Sequence, residues 1–123
     1  MKIMIQVSIG EYLDKVSILM VKQKRISDFE KLKFIKNELS VLKKWDQICL
    51  FNSELDELFE INSILWDINE KRKKMIELNI FDKEFIELSI QESKINDDRF
   101  LIKKKINEKS GSDFKEQKSY NWA

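Results

Sequence analysis

Between Val7 and Ile26 the chain reads VSIGEYLDKVSILMVKQKRI, with more apolar positions than one helical face can hold. Ile9, Leu13, Val16 and Met20 recur at helical spacing, while Ile18, Leu19 and Val21 spread apolar surface round most of the remaining circumference. Ser8 followed by Glu11 has the form of a capping box, in which hydroxyl and carboxylate each accept from the other residue's backbone N–H. A helix apolar on nearly every side belongs at the centre of a domain. Along one side of it run Glu11, Asp14, Lys15, Lys22 and Arg25, with Ile18 among them.

The stretches on either side are simpler. Lys2–Val7 alternates K-I-M-I-Q-V, which fits a short strand in need of a partner or an extended lead-in to the helix. Ser27 with Glu30 repeats the capping-box spacing and predicts a second helix ending within Asp46–Phe51. Its core face is Phe29, Leu32, Ile35, Leu39, Leu42 and Trp45. Asn52-Ser53 opens a third helix, with Glu54, Asp56 and Glu57 in its first turn and Lys71-Arg72-Lys73-Lys74 towards its end, as the helix dipole favours. Leu55, Leu58, Ile61, Leu65, Ile68, Met75 and Ile76 form its apolar side. Asp82 caps a fourth helix, which Ser110-Gly111 stops. The expected fold is a single all-α domain over 1–123, a four-helix antiparallel bundle with helices at about 8–26, 28–49, 53–79 and 82–109. Phe114, Tyr120 and Trp122 predict that the C-terminal tail docks rather than floats.

Composition narrows the chemistry. With no proline and two glycines, the chain lacks the turn residues an all-β fold needs. Lys+Arg 23 against Asp+Glu 22 leaves a net charge of +1, which gives no general signal for nucleic acid or acidic lipid. There is no histidine, which removes His-based nucleophile pairs and zinc sites, and the lone Cys49 leaves no intramolecular disulfide to form. No apolar run approaches the ~20 residues of a membrane span, and MKIMIQVS lacks the long apolar region of a secretory signal. A cytoplasmic protein is expected.

The fourth helix is the most informative. Glu92, Asn96, Arg99, Lys103 and Asn107 fall in one narrow stripe. Ile86, Ile90, Phe100 and Leu101 flank it on one side, and Leu88, Ile95, Ile102 and Ile106 on the other. Glu87, Lys94, Asp98 and Lys105 mark the opposite, solvent-facing side. The polar stripe therefore points inward, where its groups must find partners or a polar cavity. Glu11, Asp14, Lys15, Lys22 and Arg25 on the first helix supply the complement. The two stripes together form a structural ion-pair network that fixes helix register, a polar subunit interface, or a ligand site at the bundle centre.

Several of these segments also resemble a family of short bacterial helical proteins, a domain of unknown function. The resemblance runs over nearly the whole chain, through Ser8, Gly10, Glu11, Asp14, Lys15, Lys22, Trp66, Asn96, Asp97, Arg99, Lys103, Asn107, Lys118, Ser119 and Tyr120. Ile9 departs from it, where the family pattern usually has proline. The resemblance implies that the two stripes act as one site, and it implies no activity.

Two enzyme classes come into question. All-α nucleoside triphosphate pyrophosphohydrolases hold magnesium on E-x-x-E pairs, and Glu57/Glu60 and Glu84/Glu87 have that spacing, which is also common by chance in a Glu-rich helical chain. A helical mutase of the chorismate type needs several arginines around a dicarboxylate, and this chain has only Arg25, Arg72 and Arg99. The reading is a small binding or assembly module without a cofactor, magnesium entering only under the pyrophosphohydrolase alternative, with Glu57, Glu60, Glu84 and Glu87 as its ligands. Its partner would be a small-molecule ligand or a second copy, since the first helix is apolar on more faces than three neighbours easily cover.

Overall fold

The computed structural model describes residues 1–111, and the expected docking of the tail lies outside them. Four helices carry the fold: α1 (Ile9–Arg25), α2 (Phe29–Leu42), α3 (Asn52–Glu77) and α4 (Lys83–Ser110). It is an all-α four-helix bundle, as the pattern predicts. Helix α1 packs on each of the other three, and α3 and α4 form the longest mutual contact. Leu13, Val16, Leu19 and Val21 are buried, which is why this helix is apolar on so many sides.

The helix ends follow local chemistry, with four corrections. Ser8 Oγ accepts from Glu11 N–H at 3.1 Å, but the Glu11 carboxylate turns away to Lys103, so only half of the capping box forms. Asp28, not Ser27, caps α2, its Oδ1 accepting from Lys31 N–H at 3.0 Å. No side chain caps α3, which the chain enters directly from a 3-10 turn over Ile48–Phe51. Helix α2 ends at Leu42, well before the expected boundary. An aromatic cluster draws the chain back there: Trp45 meets Tyr12 edge-on at 5.5 Å and stacks on Phe51 at 6.0 Å. The Tyr12 hydroxyl also donates to the carbonyl of Leu42, closing the end of α2 against α1. Burial pushes the Tyr12 hydroxyl pKa up, so it stays a donor.

Asp82 accepts from Phe85 N–H at 3.1 Å and starts α4, and Gly111, at φ 68°, ends it in the left-handed conformation. Residues Met1–Val7 form no strand and are exposed, the lead-in alternative. Five expected core positions lie out in solvent: Phe29 is 77% exposed, Ile76, Ile86 and Ile90 about half, and Leu101 somewhat less. Helix α2 is short and packs against α1, so only Ile35 and Leu39 of its apolar residues are buried. None of the described helices is long and apolar enough to cross a membrane.

Candidate functional site

The polar stripes of α1 and α4 do meet, and Asp14 is where they join. Its carboxylate takes the guanidinium of Arg99 in a two-pronged bond, with Nε at 2.9 Å from Oδ1 and Nη2 donating to Oδ2. The Asp14 side chain is 5% exposed and that of Arg99 26%, so the pair closes the inner end of a groove. A planar guanidinium suits this place because it satisfies both carboxylate oxygens and stays charged when desolvated. Lys103 Nζ lies 4.0 Å from Asp14 and 2.5 Å from Glu11, buried where α1 and α4 cross. Asn107, one turn on, accepts the Gly10 backbone N–H at 2.8 Å. That N–H belongs to the first turn of α1, which has no intrahelical partner for it.

Gly10 makes this crossing so close. A Cβ at its position would lie 2.8 Å from both the Lys103 carbonyl oxygen and Asn107 Oδ1. The α1 backbone therefore touches α4 directly at this turn. Helix α3 adds a member that the two stripes did not include. Asn62 Nδ2 donates to Asp14 Oδ1 at 3.0 Å and to Ser17 Oγ at 2.7 Å, and Ser17 passes its own proton to the Asp14 carbonyl at 2.7 Å. Asn62 sits between Leu58 and Leu65 on the core face of α3, and a lone carboxamide among leucines was the available signal.

The outer half of the α4 stripe turns to α3 instead. Glu92 accepts from Arg72 Nη1 at 2.5 Å and from Asn96 Nδ2 at 3.2 Å, and Asn96 Oδ1 lies 3.4 Å from Arg99 Nη1. Arg72 also donates to Ser89 at 3.1 Å. The expected apolar wall along this half is open, since Ile86 and Ile90 are half exposed. Other members of the α1 stripe stay apart from Asp14. Lys15 pairs with Glu38 of α2 at 3.2 Å in solvent, and Arg25 with Asp67 of α3 at 2.5 Å. Lys22, with no ion pair among the described residues, lines a second hollow of about 350 Å³ between α1 and α2.

A larger cavity of about 580 Å³ opens between α1, α3 and α4, with Arg99 and Asn62 at its polar end and Ile18, Val21 and Leu65 along its apolar wall. Trp66, Asn69, Glu70 and Lys73 line it from α3, and Glu92 and Asn96 from α4. Ile18 and Arg99 border both hollows, so the Asp14–Arg99 pair lies between them.

The E-x-x-E pairs expected under the magnesium alternative are not brought together. Lys105 holds Glu57 at 3.0 Å, and Lys71 holds Glu84 at 2.6 Å. Those contacts place Glu57/Glu60 and Glu84/Glu87 near opposite ends of the α3–α4 hairpin, roughly 20–30 Å apart at ~1.5 Å per helical residue. They cannot share one cation. Glu60 is exposed, and the Glu57 carboxylate is turned to Lys105. Glu57 and Glu60 both border a hollow of about 500 Å³ between α3 and α4, beside Asp56, Ile61 and Ile102. Glu87 is likewise exposed, 3.9 Å from Lys83 in its own helix. The spacing of these acids records the solvated side of two long helices, where glutamate is favoured without any metal. Among the described residues no three Asp, Glu or Cys side chains gather as a metal site.

At the far end of the hairpin Glu54 is buried against Lys109 Nζ at 2.8 Å. That hydrogen bond holds its carboxyl below the usual range, against the opposing push of burial. Compared with family models, with curated proteins and with solved structures, the chain matches none of them.

Proposed function

We propose that this chain is a small intracellular binding module, with its ligand site in the cavity between α1, α3 and α4. The observation that carries this reading is the 580 Å³ cavity built against a network of buried polar groups. A network that served only to hold register could be closed over by side chains. Here Asp14, Asn62 and Arg99 are held in fixed orientations beside a hollow large enough for a small molecule. The test is a screen of soluble fragments against the 15N-labelled full chain by NMR. Fragments should shift the Trp66 indole and the side-chain amides of Asn62, Asn69 and Asn96, and a Trp66→Ala variant should lose the response. Shifts confined to other surfaces would refute the site. Pyrophosphate released from nucleoside triphosphates with magnesium, and lost in Glu57→Gln, would instead favour the enzyme alternative.

Self-association as a dimer belongs to the same reading. Phe34, Leu78 and Phe81 are each more than half exposed, on α2 and at the α3–α4 turn, and apolar surface of this kind favours burial between copies. Light scattering coupled to gel filtration tests it, and a clean monomer at micromolar concentration refutes it.

A further inference from the structure

The cavity's chemistry points to a class of ligand. Two acids and two bases line it, Glu70 and Glu92 against Lys73 and Arg99. Glu92 is already bonded to Arg72 and Asn96, and Arg99 to Asp14, and the two acids balance the two bases, so the lining offers no net charge to attract a charged ligand of either sign. The ligand that fits is uncharged.

Asn62 sets the polar contact. It is 94% buried, and both its amide hydrogens go to Asp14 and Ser17. Because Asp14 is a carboxylate and can only accept, the amide has one orientation, with Oδ1 left over. No described residue donates to that oxygen, and donation to an anion polarises the amide and strengthens it as an acceptor. One helical turn away Trp66 supplies an aromatic wall, and Asn69, whose Oδ1 is taken by Arg72 at 3.2 Å, has its amide hydrogens to give. Glu70 and Lys73 continue the same side of α3 with one more acceptor and one more donor.

Seven of the eleven lining side chains are polar, set round a surface that is itself more apolar than polar. There is one aromatic ring, which offers a base a single wall and no sandwich. Donors and acceptors interleave along α3, and a hydroxyl is the group that both donates and accepts. From this we propose that the cavity takes a sugar, an uncharged, hydroxyl-rich ring lying against Trp66 with a hydroxyl donating to Asn62 Oδ1 and another accepting from Asn69. The proposal rests on the cavity being the ligand site.

The test titrates glucose, galactose, N-acetylglucosamine, maltose and lactose into the 15N-labelled full chain, with adenosine and inorganic phosphate in parallel. At least one sugar should shift the Trp66 indole together with the Asn62 and Asn69 side-chain amides. Asn69→Ala, an exposed change that leaves the buried network intact, should weaken that sugar about five- to tenfold, the loss of one neutral hydrogen bond. Trp66→Phe assigns the indole signal and keeps an aromatic wall, so binding should survive it in reduced form. Adenosine or phosphate shifting these signals while no sugar does would overturn the class and leave the site standing. No response to any of these probes would also overturn the sugar proposal. The site itself would then stand or fall with the fragment screen.

Discussion

Replacing Gly10 with alanine tests whether α1 and α4 meet backbone to backbone. The added Cβ would sit 2.8 Å from the Lys103 carbonyl oxygen and from Asn107 Oδ1, where ordinary contact begins at 3.4 Å. One of these neighbours is backbone, so it cannot rotate aside, and the helices must part by about 0.6 Å, the difference of those two distances. A shift of that size stretches the Gly10 N–H bond to Asn107 from 2.8 Å to about 3.4 Å, beyond the usual 2.7–3.2 Å. Leaving that buried N–H unmet costs about 1–3 kcal/mol, and the steric strain another 1–3 kcal/mol or so. Alanine's better helix propensity returns at most about 1 kcal/mol. The expected net loss is about 1–5 kcal/mol, read as a lower urea midpoint by far-UV circular dichroism with the slope unchanged. An unchanged or raised midpoint would show that the helices do not approach this closely.

Three further outcomes follow from the same geometry. Arg99→Ala should cost about 3–5 kcal/mol in urea denaturation, because it leaves the buried Asp14 carboxylate without its main partner, and Asp14→Asn in the same chain should recover part of the loss. A loss under about 1 kcal/mol would show that water reaches the pair. For Glu54 the folded carboxyl pKa is depressed, so its contribution is complete above the ordinary carboxylate range and fades as pH falls through the lower folded value. The difference in melting temperature between the parent chain and Glu54→Gln should therefore narrow on going from neutral pH to acid, and a constant difference would contradict the Lys109 bond. Gly111→Ala should cost roughly 1 kcal/mol by denaturation, because its φ of 68° suits glycine although nothing crowds it.

Periodicity alone carried most of the architecture. Helix number and type, the central place of α1, the caps at Ser8 and Asp82 and the stop at Gly111 all depend on interactions within a few residues. The inward turn of Lys103 and Asn107 was also legible, because Ile102 and Ile106 lie beside them on the same face of the helix. What periodicity could not specify was how neighbours share each face. Helix α2 stops at Leu42 because Trp45 finds Tyr12 on another helix. Arg25 and Lys15 leave the α1 stripe because Asp67 and Glu38 happen to stand opposite them. Glu57 and Glu84, each the first acid of its pair, are held by lysines of the neighbouring helix, Lys105 and Lys71, near opposite ends of the α3–α4 hairpin. Only packing of α3 beside α1 makes Asn62 a partner of Asp14, and only the three helices together leave the cavity between them. A sequence pattern records which face of a helix is apolar; which charges meet across the gap depends on the distance and rotation between helices, and those are set by the packing of every side chain at once.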